Sequence, residues 1–160
     1  MKFNRYLSIM IMCLGLVALV LGGVFIVEGV MKNDLIVDRM AVEKVTLAVD
    51  PNNPSTVTQI NNAADAQKAA DTIASHRRAI APTYQDLLDM GNGRFDPTNP
   101  VDLTYAQAMN LENYLYMAVT AFGLIQVTMA AGVFMVVTGL ALGGGGLVLF
   151  RISRHQPYAN

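Results

Sequence analysis

Apolar and polar positions divide this chain into three blocks. Residues 6–27 and 113–150 are apolar runs without a single Asp, Glu, Lys or Arg, and 28–112 between them is mixed and polar. A helix over 6–27 would be about 33 Å long, matching a hydrocarbon core of about 30 Å. A helix over 113–150 would reach about 57 Å, far more than one crossing requires. Counting back from Arg151 puts the crossing near 131–150. Residues 113–130, with Tyr114, Tyr116, Phe122 and Gln126, then stand at or beyond the outer interface and need a covering surface.

Within the polar block, Asn62-Ala-Ala-Asp65 predicts the start of a helix whose apolar positions Ala66, Ala69, Ala70, Ile73 and Ile80 follow the helical period, with Pro82 ending it. Thr83-Tyr-Gln-Asp86 opens a short further turn, closed by Gly91-Asn-Gly93. Asp96-Pro-Thr-Asn-Pro100 opposes helix, and Thr104-Tyr-Ala-Gln107 reads as the capping box of the last helix. Over 33–60 two patterns compete. Met31, Leu35, Val42, Val45 and Val49 would extend the first helix, whereas 45–49 and 56–60 are β-prone and flank Asp50-Pro-Asn-Asn-Pro-Ser55, a plausible hairpin loop. The reading adopted is helix to about Lys44, then a short hairpin or irregular segment.

Charge gives the pattern an orientation. All twelve acidic residues lie between Glu28 and Glu112, against seven bases there, a balance of −5. Lys2, Arg5, Arg151 and Arg154 cap the far ends of the apolar runs. Basic flanks mark the cytoplasmic side. The expected fold class is therefore an all-α membrane protein: two transmembrane helices in a hairpin with both termini inside, plus a small, mostly helical extracytoplasmic domain. The segments are 1–5 cytoplasmic, 6–27 first span, 28–112 outer domain, 113–150 long apolar helix, 151–160 cytoplasmic tail. An acidic outer domain argues against nucleic acid, whose phosphates demand a basic surface. Cys13 is the single cysteine, so no intrachain disulfide forms. The first apolar run exceeds the h-region of a cleavable leader and no A-x-A site follows it, so it is read as an anchor.

Small residues recur at helical spacing: Gly15, Gly22 and Gly29 in the first run, and Gly132, Gly139, Gly143 and Gly146 in the second. Inside lipid, helices associate through such close-approach stripes. Either the two stripes face each other within one hairpin, or at least one packs on another subunit; together with Phe122 these glycines are the candidate packing and assembly residues. No charged residue or histidine sits deep in either run, which disfavours an ion or proton pathway. His76, beside Arg77 and Arg78, reads as a solvated helix face, and the ten methionines as gap-filling apolar residues rather than copper ligands. No catalytic set, metal-ligand spacing or phosphate loop stands out, and no cofactor is expected.

The layout resembles two-span membrane proteins of unknown function from Chloroflexi and Actinobacteria. The phrases that carry the likeness are Asp65-Ala-Gln-Lys-Ala-Ala-Asp-Thr-Ile-Ala-Ser-His76, Arg94-Phe-Asp-Pro-Thr-Asn-Pro100 and Leu103-Thr-Tyr-Ala-Gln-Ala-Met-Asn-Leu-Glu-Asn-Tyr114 followed by Ala121-Phe-Gly123. The resemblance implies a prokaryotic cell membrane and brings no chemistry with it. A ring-opening dioxygenase label borne by some such proteins has no histidine–carboxylate iron site here to support it. The functional expectation is a non-enzymatic integral-membrane protein, in contact with lipid, that forms a homo-oligomer or serves as an accessory subunit of a larger membrane complex. The alternative is an extracytoplasmic ligand-binding or sensing module anchored by the hairpin.

Overall fold

The computed structural model describes residues 2–50 and 53–155, with side chains at 5–46 and 57–154. Its elements are α1 (Lys2–Val42), β1 (Thr46–Asp50), β2 (Asn53–Gln59), α2 (Ala63–Ile80), α3 (Tyr84–Met90) and α4 (Pro100–His155). The chain is thus mainly helical. α1, of 41 residues, and α4, of 56, are each long and apolar enough to cross a membrane. Contacts divide the molecule into two compact units, Met1–Lys32 with Ile125–Asn160, and Asn33–Leu124.

In the first unit α1 and α4 run antiparallel, with Gly15 against Gly139 and Gly143, Gly22 against Gly132, and Gly146 against Met12. The remaining circumference is apolar and exposed, Leu14, Val20, Phe134 and Leu140 among it.

The second unit forms around two apolar clusters. In one, the small face of α2 (Ala66, Ala69, Ala70) meets Ile60 and the α4 residues Leu115, Ala118 and Phe122, with Ile36, Val37 and Met40 of α1 alongside. In the other, Ala81, Leu87 and Tyr105 are buried, with Ile80, Phe95 and Met109 packed on them. Alanines on α2 let two helix backbones approach closely; the larger residues of α4 fill the space between them.

The helix ends explain the chain's turns. α1 stops in a Schellman-type close: Val45 N–H donates to Met40 C=O and Lys44 N–H to Ala41 C=O, while Lys44 takes φ 53°. Val45 and Met40, the pair that accompanies this motif, both pack on the first cluster. A lysine in the left-handed region carries a backbone penalty that glycine avoids. Lys44→Gly should therefore raise the thermal stability of the chain, by about 1 kcal/mol; a fall on melting followed by circular dichroism would refute this account of the turn. From Val45 the chain enters an antiparallel two-stranded sheet pairing Thr46 with Gln59, Leu47 with Thr58 and Ala48 with Val57, and shifting register before Asp50 pairs with Asn53. The hairpin reading of this region is the one the fold follows; the loop positions Pro51 and Asn52 lie outside the described residues.

Asn62 caps α2, its side chain accepting from Asp65 N–H at 3.0 Å, and Thr83 and Asp86 form a reciprocal capping box on α3. The start of α4 differs from the sequence expectation. The helix begins at Pro100, not at Thr104: Asn99 Oδ1 accepts from Val101 N–H at 2.9 Å and its C=O from Leu103 N–H at 3.0 Å. Pro100 then sits in the first helical position, where its missing N–H costs nothing and its fixed φ suits the helix. Thr104 Oγ1 instead donates to Pro100 C=O at 2.7 Å, one turn inside the helix. Asp102, buried in this first turn, accepts from Asp96 N–H at 2.8 Å and ties the preceding loop down.

Candidate functional site

Three features of the second unit stand apart from ordinary core. The first is a charged group packed between α2 and α4. Arg77 Nε lies 2.7 Å from Glu112 Oε2 and its Nη2 3.4 Å from Oε1, while Nη1 donates to Tyr105 Oη at 2.5 Å. The two ionic side chains are 12% and 10% exposed, and Tyr105 is fully buried. The arginine Cζ stands 5.0 Å from the Tyr105 ring centroid, whose other neighbour is the Tyr84 ring at 6.3 Å. The Glu112 hydrogen bond raises the Arg77 pKa against the opposing effect of burial. Among the described residues no buried side-chain nitrogen or oxygen lacks a partner, and this group ties α2 to α4.

Sequence reasoning missed this cluster. Read beside His76 and Arg78, Arg77 looked like part of a solvated face; His76 and Arg78 are indeed exposed, but Arg77 points the other way. The available signal was the spacing of Tyr105 and Glu112, seven residues and therefore two helical turns apart on one face. Lower down α2, Asp71 accepts from Tyr116 Oη at 2.8 Å, a bond that raises the tyrosine pKa. Because the folded value lies above the ordinary 10.0, the contribution is complete below that pH and is lost as pH rises through the folded value. Tyr116→Phe should flatten the alkaline limb of the stability profile, read by melting between neutral pH and the phenol range.

The second feature is the opposite side of α4. Phe122, only 1% exposed, belongs to the core cluster with the α2 alanines, whereas Tyr114 is 68% and Met117 66% exposed, with Leu124 also open to solvent. An apolar face of this kind on a polar unit calls for a covering surface.

The third is a shallow groove of about 180 Å³ beside that face, lined by Arg39, Met40, Glu43, Val45, Leu111, Tyr114 and Leu115. Ligand pockets generally run to about 300–1,000 Å³.

Of the other residues expected to matter, Gly15, Gly22, Gly29, Gly132, Gly139 and Gly146 all lie at the α1–α4 contact of the first unit, Gly29 against the Met129 side chain. A Cβ on Gly143 would meet nothing within 4 Å, although its backbone N and Cα lie against Gly15. Among the described residues no group of three or more His, Cys, Asp and Glu side chains is gathered that could hold a metal ion. What the geometry defines is a mainly helical chain with two candidate membrane-spanning helices and a separately packed helical unit. Comparison with protein-family models, with curated proteins and with solved structures finds no match.

Proposed function

We propose that this chain is a non-enzymatic integral-membrane assembly protein, with both ends cytoplasmic and residues 33–124 outside the membrane. It forms a homo-oligomer or attaches to a larger membrane complex as an accessory subunit. The observation that carries the reading is the exposed apolar face of α4 at Tyr114 and Met117, set on a unit that buries its own core elsewhere. Gly15, Gly22, Gly29, Gly132, Gly139 and Gly146 are taken up within one chain, so this face is the better place for a neighbouring subunit to dock. The sensing alternative would rest on a second groove of the same unit, about 460 Å³ and lined by Ala41, Lys44, Val45, Thr46, Val57 and Gln59, rather than on the small one beside Tyr114.

Light scattering of the full chain in mild detergent tests the proposal. The expected particle is a multiple of 17.3 kDa or a mixed complex, and Met117→Lys should shrink it, because an unpaired charge is costly to bury. A monodisperse monomer would overturn the assembly reading. Orientation has its own test in a Cys13→Ala background. A cysteine at Ser75 should react with an impermeant thiol reagent on intact cells and one at Ser153 should not; the reverse pattern would invert the topology.

A further inference from the structure

The first unit ends in a basic cluster that the assembly reading does not use. Arg5 of α1 and Arg154 of α4 both stand over the Phe150 ring, their Cζ atoms 5.7 and 5.1 Å from its centroid. Beside the ring is a cavity of about 620 Å³ bounded by Met12, Leu147, Phe150, Arg151 and Arg154. Leu147, Phe150, Arg151 and Arg154 follow the i, i+3, i+4, i+7 spacing of a single helix face. The lining therefore grades along α4 from aliphatic through aromatic to cationic. Neither 1–27 nor 113–160 contains an Asp or Glu, so the chain's own acidic side chains lie elsewhere in sequence.

We propose that this cavity binds an anionic phospholipid, with the headgroup phosphate held at the rim by Arg154, Arg5 adding positive charge from beside the Phe150 ring, and the first acyl carbons lying against Leu147 and Met12. Guanidinium forks pair with phosphate oxygens in two-pronged fashion, which favours arginine over lysine at such a rim. The apolar wall selects a lipid over a free anion or a nucleic acid, because only the lipid brings hydrocarbon to cover Met12 and Leu147 alongside its charge. Basic pockets between membrane helices on the cytoplasmic side recognise anionic headgroups in this way. The proposal rests on the membrane reading, and on this end facing the cytoplasmic leaflet.

Native mass spectrometry of the detergent-solubilised full chain, titrated with phosphatidylglycerol and phosphatidylcholine of identical acyl chains, tests it. Phosphatidylglycerol should bind preferentially. Arg5→Gln with Arg154→Gln should weaken it by about fivefold per arginine, roughly 25-fold for the pair, while Arg94→Gln in the other unit leaves it unchanged. Inorganic phosphate should not displace the lipid. Equal binding of the two lipids, an equal loss in Arg94→Gln, or displacement by phosphate as effective as by a short-chain phosphatidylglycerol would each overturn the proposal. If the double variant fails to fold, the two-lipid comparison on the wild-type chain decides alone. Failure of the membrane reading would show separately, as release of the chain from membranes by alkaline carbonate; a chain that stays in the membrane without lipid preference refutes only the lipid site.

Discussion

Gly139→Leu and Gly22→Leu are expected to separate the two long helices where α1 and α4 approach most closely. A Cβ on Gly139 would stand 2.7 Å from Gly15 O, 2.7 Å from Leu19 Cγ and 2.9 Å from Leu19 N; on Gly22 it would stand 2.6 Å from Gly132 O and 2.9 Å from Val136 N. These obstacles include backbone, so no rotamer change relieves them, and the helices must move apart. Overpacking of this sort costs about 1–3 kcal/mol in a well-packed core. In lipid the loss is felt in full, because burial from water no longer holds the helices together and packing supplies most of the association energy. The informative comparison is with Gly23→Ala and Gly144→Ala, whose added Cβ would meet nothing within 4 Å. Those should gain about 0.5–1 kcal/mol from the lower backbone entropy of alanine in a helix. Gly143→Ala should be equally harmless, while Gly15→Ala, whose Cβ would fall 2.7 Å from Gly143 N, should not. Unfolding in mixed detergent micelles, followed by far-ultraviolet circular dichroism, reads all of them on one scale. A uniform response across the glycines would mean that the contact is not built on close backbone approach.

How far this arrangement can be read from residue order depends on the kind of signal involved. Local signals carried well: Asn62 with Asp65 and Thr83 with Asp86 sit where side-chain caps must be, and both helices begin there. The same logic misplaced the start of α4, because two signals overlapped. Thr104 and Gln107 have capping-box spacing, but Asn99-Pro100 upstream also supplies a cap and a pre-set first residue, and the earlier start adds a helical turn that carries the buried Asp102. Residues 45–59 were ambiguous because Val45 and Val49 suit either period, yet the helix end read at about Lys44 falls where α1 closes, with Val42 its last residue and Lys44 at φ 53°. The Arg77 cluster was harder still. Its partners are 28 and 35 residues away, and an arginine between two exposed basic neighbours carries no local mark of burial. Long-range charge pairing is set by which helix faces meet, and that depends on the α2 alanines packing against Leu115, Ala118 and Phe122.

That dependence makes Glu112 the position in the second unit whose loss should be felt most. Glu112→Leu would leave the Arg77 guanidinium nearly enclosed, holding only Tyr105 Oη of the partners now satisfied. Removing one member of a buried pair costs about 3–5 kcal/mol, mostly as the penalty of the charge left behind. Some solvent reaches this pair, so the lower part of that range, about 3 kcal/mol, is expected. Replacing both, Arg77→Met with Glu112→Leu, should recover part of the loss, since no charge is left stranded, while the buried Tyr105 hydroxyl loses its Arg77 donor and keeps the recovery incomplete. The pair should also persist through ordinary alkaline conditions. Arg77 has its folded pKa raised above the ordinary guanidinium value by the Glu112 hydrogen bond, so its stabilising contribution is complete below that ordinary value and declines only as pH passes through the folded one. Because the chain has no tryptophan, denaturant unfolding is best followed by circular dichroism and tyrosine absorbance. A double variant as unstable as the single one would mean that the geometry of the hydrogen bonds, rather than the stranded charge, holds α2 against α4. A single variant as stable as wild type would mean that the alanine–phenylalanine packing is sufficient without the ion pair.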